Sequence, residues 1–214
     1  MDNKIIKSYE DYLERLENVI YNHIAIKLAT FKGFNESLES DFEKTAKSFP
    51  LLYFMVESLQ VDCVMTISKL TEENRGDKTI QKFINFSSTN LKKLQKKYPS
   101  LNDHIIKDNL HQIENIKEQL KRVLTQRDKY YAHADNEYFL TPNKLLKDFP
   151  KTYEDLVDIT IVLQNIINKH GLVVNGNWRV CMSDFAYLHT FKTIDMLREA
   201  SEEWYKKYRP NESF

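Results

Sequence analysis

Glycine and proline are scarce in this chain, 4 and 5 among 214 residues. Tight turns draw on glycine for positive φ and on proline for a preset φ, so so few of them exclude a fold built from many hairpins. Cysteine is scarcer still. Cys63 and Cys181 stand far apart without a CxxC partner, which argues against a zinc site or a disulfide framework and leaves two buried thiols as the expectation. Charge of one sign is not in excess either: 31 basic and 31 acidic residues give a formal net charge of +0. With no monopole to draw in nucleic acid or an anionic membrane, any RNA contact must use a local patch. The longest apolar run, Phe49 to Val56, stops at Glu57, well short of the roughly 20 residues of a membrane span. The opening MDNKIIKSYEDYLERL is charged throughout and lacks the apolar stretch of a signal peptide. A cytoplasmic protein with no membrane partner is the expectation. No GxxxxGK[ST], GxGxxG, HExxH or GxSxG motif occurs, so ATPase, dehydrogenase, zincin and hydrolase readings lose their usual warrant.

What the chain does have is helical periodicity. Ile5, Tyr9, Leu13, Leu16, Ile20, Ile24, Leu28 and Phe31 follow three- and four-residue steps, which predicts an amphipathic helix that Gly33 closes. A second helix is expected over about Leu51 to Leu70, with Leu52, Val56, Leu59, Cys63, Ile67 and Leu70 on one stripe and apolar residues on other faces, so it should be central. Residues Lys78 to Tyr98 suit one or two shorter helices, stopped at Pro99. The longest pattern runs from Leu101 to about His133, with Ile106, Leu110, Ile113, Leu120 and Leu124 inward. Thr152 and Asp155 resemble a capping box opening a helix that Gly171 ends, and a turn or short extended piece is expected around Asn175, Gly176 and Asn177. Ser183 is the expected N-cap of a last helix reaching Tyr208. With no repeat and no long linker, the sum is an all-α antiparallel helical bundle, a single domain over residues 1–214.

Chemistry concentrates at Arg127-Asp128-Lys129-Tyr130-Tyr131-Ala132-His133-Ala134-Asp135, the end of the longest pattern. Projected at about 100° per residue from His104, the apolar stripe spans roughly 100° to 240° and Arg127 falls near 140°, inside it. Guanidinium cannot discard its charge on burial, so Arg127 needs a carboxylate partner, a ligand anion or a wet interface cleft. His133 lies about 120° around an ideal helix from Arg127, so the two converge only if the helix ends near Ala132 or if two protomers meet across a twofold axis.

The segment RDKYYAHAD, with DCVMTISKLTEE upstream, resembles the AbiU-type branch of the HEPN superfamily. That superfamily's signature is an Arg, four to six residues, then His, with a polar residue often directly after the Arg; Arg127, Asp128 and His133 match it. The resemblance implies a HEPN-like four-helix core with accessory helices and metal-independent RNA cleavage, with no cofactor, at a composite homodimer site. It also implies a link to abortive infection of phage, with an antitoxin as a further partner. Under that reading His133, titrating near neutrality, serves as acid or base, Arg127 holds phosphate, and Asp128 orients one of them. Lys129, Tyr130, Tyr131 and Arg122 are the candidate substrate-binding residues. Where related toxins carry Tyr two residues after the His, this chain has Asp135, which argues against silencing by tyrosine adenylylation. A structural reading competes: Arg127 pairs with Asp128, Asp135 or a carboxylate of a neighbouring helix, and His133 caps a helix end. The alternative function is a catalytically silent module that binds RNA or nucleotide or mediates protein interaction.

Two further groupings read as solvated surface before function. His104, Asp108 and His111 share one helix face opposite the apolar stripe, without a partner that would make a metal site. The run Lys92, Lys93, Lys96 and Lys97 beside Tyr98 has the charge to track a phosphate backbone, and Phe49, Tyr53, Phe54, Phe83 and Phe86 read as core packing before base stacking.

Overall fold

Alternating three- and four-residue apolar spacing gives helices throughout the computed structural model, which describes residues 2–39, 50–72, 79–132, 144, 147–148, 153–177 and 179–209. In chain order these are α1 (Asp2–Glu17), a π-helical segment (Asn18–Ala25), α2 (Ile26–Glu39), α3 (Pro50–Thr71), α4 (Ile80–Thr89) and α5 (Leu91–Leu94). Then come α6 (Asp103–Asn115), α7 (Lys117–Gln126), a second π-helical segment (Arg127–Ala132), α8 (Tyr153–Asn175) and α9 (Ser183–Tyr208). Among the described residues there is no β-strand, so the fold class is all-α. No described helix is long and apolar enough to cross a membrane. The chain divides into two compact units, one of residues 1–24 and 63–180, the other of residues 25–62 and 181–214.

In the first unit α1 packs against α4, α5 and α8, and α8 against α6 and α7. Tyr9, Leu13 and Leu16 of α1, Phe83 and Ile84 of α4, and Ile159, Leu163 and Ile166 of α8 are almost wholly buried. Removing each such aliphatic or aromatic side chain from water stabilises the unit by roughly 1.5–3 kcal/mol. A polar knot crosses this core: His170 Nδ1 lies 2.7 Å from the Tyr9 hydroxyl and Nε2 lies 2.8 Å from Asn109 Nδ2. Phe83 packs edge-on against the imidazole. Burial, with the neighbouring Lys169 charge second, pushes His170 down to about 3, so the ring is neutral at pH 7.

The pattern expected as one helix from Leu101 to His133 is three segments. Asn102 caps α6 by accepting from the Ile105 N–H at 3.1 Å. At Ile116, φ −103° and ψ 12° leave the helical region, which re-aims the apolar stripe. Ile106, Asn109, Ile116, Leu120 and Val123 are buried, while of the residues expected inward Leu110 is 40% exposed and Ile113 and Leu124 are only partly buried.

Both helix-ending glycines were misplaced by local pattern. α8 runs through Gly171 and stops at Asn175, before Gly176, whose φ of +70° is the left-handed conformation that favours glycine. The turn or extended piece expected within Leu172 to Met182 begins only after Asn175, with Leu172 to Asn175 still helical. Gly171 lies inside the helix, where a Cβ would meet only the flexible end of Glu17, 2.9 Å from Oε1.

In the second unit α2 packs on α9. Gly33 does not close α2, which continues to Glu39. A Cβ on it would lie 2.9 Å from Thr190 Cβ and 3.1 Å from the Tyr187 carbonyl, so glycine permits the close crossing. Phe31 and Phe34 of α2 and Ile194 of α9 are buried, Tyr187 donates to Glu36, and Arg198 donates to the Ser37 carbonyl. The first half of α3 lies in this unit, with Leu51 and Phe54 exposed, whereas Cys63, Val64 and Ile67 of its second half are buried. Phe54 is thus not core, and α3 is central only toward its C-terminal end. Phe83 is buried and Phe86 partly so; Phe49 and the Tyr53 side chain lie outside the described residues. Met182, not Ser183, stands at the N-cap of α9, without a side-chain capping bond. Cys63 is buried, Cys181 only partly, and neither forms a disulfide.

Candidate functional site

Arg127 opens the second π-helical segment, directly after α7. Such wide turns are rare and recur at functional positions. The side chain is directed inward as the projection predicts: Arg127 is 5% exposed. Its charge is met by two carboxylates. Nε and Nη2 donate to Asp128 Oδ1 at 2.8 and 2.6 Å. Nη1 donates to Glu72 Oε2, and Nη2 also donates to Glu72 Oε1 at 3.3 Å. Glu72 follows the last residue of α3, and its N–H donates to the Ser68 carbonyl at 3.0 Å, which continues the helical ladder by one residue. The hydrogen bonds to Glu72 first, and then those to Asp128, hold the Arg127 pKa above its ordinary value against the opposing effect of burial.

A cavity of about 550 Å³ opens beside this cluster. Glu72 and Asp128 line it, with Lys117, Lys121, Leu120 and Leu124 from α7. Asp128 has 48% of its side chain exposed, Glu72 22% and Arg127 6%, so the two carboxylates stand in front of the guanidinium.

The other sequence candidates separate. Arg122 is tied to α8: Nε lies 3.2 Å from Asp155 Oδ2, and Nη2 donates to Oδ1. Those hydrogen bonds hold the Arg122 pKa above its ordinary value; the capping box expected of Asp155 rests on Thr152, which lies outside the described residues. Lys129 is partly exposed within the π-helical segment. Tyr130 and Tyr131 share its backbone, but their side chains, like His133 and Asp135 altogether, lie outside the described residues.

On α6, Asp108 accepts from Gln112 at 2.7 Å and from Lys169, while His104 and His111 are exposed. Lys96 and Lys97 of the basic run reach back to α1, pairing with Asp2 at 2.8 Å and Glu10 at 2.6 Å, and Lys92 and Lys93 face solvent. The pairing of Arg127 with Asp128 and with a carboxylate beyond its own helix was expected, but sequence reasoning did not name Glu72 as that carboxylate and missed the His170–Tyr9–Asn109 knot. The signals for Glu72 were an acidic residue just past an apolar helix and its place in the segment DCVMTISKLTEE; its partner is 55 residues away.

Among known proteins, the family model HEPN_AbiU2, described as AbiU2, matches residues 6–203. No curated protein and no solved structure matches.

Proposed function

Because the chain belongs to the AbiU2 family, a HEPN family, we propose that it is a metal-independent endoribonuclease acting in abortive infection, with a composite site at a homodimer interface. The observation that carries this reading is Arg127: a buried guanidinium at the start of a π-helical turn, six residues before His133 as in the HEPN motif, and of the chemistry to hold a phosphate. In the proposed step the ribose 2′-oxygen attacks the adjacent phosphorus while a base removes its proton. The P–O5′ bond breaks, a proton reaches the 5′-oxygen, and the products are a 2′,3′-cyclic phosphate and a 5′-hydroxyl. Histidine suits both transfers, as base in one protonation state and acid in the other, and His133 is assigned to them. Arg127 stabilises the charge growing on the phosphate oxygens, and Asp128, bonded to Nε and Nη2, orients it.

The test is cleavage of a mixed RNA pool in EDTA by wild type and by His133→Ala, with melting and oligomeric state checked on both. Wild type alone should cut and leave 2′,3′-cyclic ends. A second reading, a catalytically silent module that binds RNA or a protein partner, is favoured by one observation: the guanidinium is already engaged by two carboxylates. Intact RNA bound by a folded wild-type dimer would select that module over the nuclease.

A further inference from the structure

Among the described residues the guanidinium of Arg127 makes four hydrogen bonds, all to carboxylate oxygens. Glu72 uses both of its oxygens, one on each Nη, which is the parallel fork that a phosphate also offers. Asp128 uses a single oxygen on the Nε side. The cluster therefore holds two negative charges against one positive. A polyanion entering the cavity meets Glu72 and Asp128 first, with Arg127 behind them. Lys117 and Lys121 on the same cavity wall are matched by Glu114 and Glu118, so the face that a phosphate meets is net negative.

We propose that Glu72 is an internal stand-in for the substrate phosphate: its carboxylate occupies the two-pronged face of Arg127 in the resting chain and must leave when RNA binds, so Glu72 sets the affinity of the site. This rests on the assignment of Arg127 as the phosphate binder. Two features single out Glu72 over Asp128. Glu72 takes the fork that a phosphate would take, and it comes from a different helix, so it can withdraw without moving Arg127. Asp128, next in the chain, stays bonded through Nε and keeps the guanidinium aimed. A purely structural Glu72 would lower stability when changed and would not raise affinity.

The experiment measures binding of a fluorescein-labelled, mixed-sequence 2′-O-methyl oligoribonucleotide, which lacks the attacking hydroxyl, by anisotropy. Wild type is compared with Glu72→Gln, Arg127→Lys and the double variant, each checked for melting. Glu72→Gln keeps an acceptor but removes a unit charge at contact distance, and it should bind about tenfold tighter. The gain should vanish in the Arg127→Lys background, because an ammonium cannot form the fork. Should Gln at 72 fail to fold, Glu72→Asp, one methylene shorter, releases one prong and should bind severalfold tighter. If Glu72→Gln binds no tighter while Arg127→Lys weakens binding, the stand-in role is wrong and the phosphate assignment survives. If binding ignores both positions, or is absent in every chain, the phosphate assignment falls and the stand-in role with it.

Discussion

At His170 the imidazole is 0% exposed, with Nδ1 beside the Tyr9 hydroxyl and Nε2 facing the Asn109 amide nitrogen, itself a donor, so a second ring proton, on Nε2, would break that contact in the core. The folded ring titrates near 3, against 6.5 for the free side chain. The folded form disfavours the charged state, so the stabilising contribution is complete above pH 6.5 and is lost as pH falls from 6.5 toward about 3. In that window the unfolded chain takes up a proton that the native chain refuses, at roughly 1 kcal/mol per pH unit. Urea denaturation between pH 6.5 and 5 reads this slope above the range where Asp2 and Glu10, held low by Lys96 and Lys97, take protons. His170→Gln should flatten the slope; an unchanged slope would show that His170 does not govern acid sensitivity. Nothing local in the sequence marks this histidine, because its partners lie 161 and 61 residues away.

At the scale of elements, two glycines inside helices give opposite predictions. Gly33 faces the Thr190 Cβ and the Tyr187 carbonyl of α9, neither of which can turn aside without moving a helix. Gly33→Ala should therefore lower unfolding stability by about 1–3 kcal/mol in urea titration, the cost of overpacking a close crossing. Gly171 faces only the end of the Glu17 side chain, which accepts from Arg179 at 2.7 Å and can swing away. Helix propensity favours alanine there by up to about 1 kcal/mol, so Gly171→Ala should stay within about 0.5 kcal/mol of wild type. Equal losses at both positions would refute the packing account. Periodicity located both helices, yet it read each glycine as a stop, since a breaker and a close-packing residue look alike until the neighbouring helix is in place.

At the scale of the whole molecule, a composite site has a consequence for mixed assemblies. If the Arg and His of one site come from different copies, a dimer of one Arg127→Ala chain and one His133→Ala chain keeps one intact pair. Co-refolding equal amounts of the two inactive variants should then restore about a quarter of wild-type RNA cleavage, since half the dimers are mixed and each mixed dimer has one of two sites. No recovery, with mixed dimers verified by differently tagged chains, would place each site within a single chain.

Sequence by itself determined the all-α class, the starts of most helices, the family signature and the inward aim of Arg127. Each is carried by spacing along one stretch of backbone, where 3.6 residues per turn converts sequence distance into direction. Tertiary structure alone decided that Glu72 meets the guanidinium, that Arg122 is tied to Asp155, that His170 lies neutral between Tyr9 and Asn109, and that Gly33 admits a helix. The break at Ile116 belongs with these, since it moved Leu110 outward and Ile116 and Val123 inward. The physical reason is common to all of them: a buried charge or polar group must find a partner, and which partner is near depends on how separate helices pack, a distance that no local period encodes.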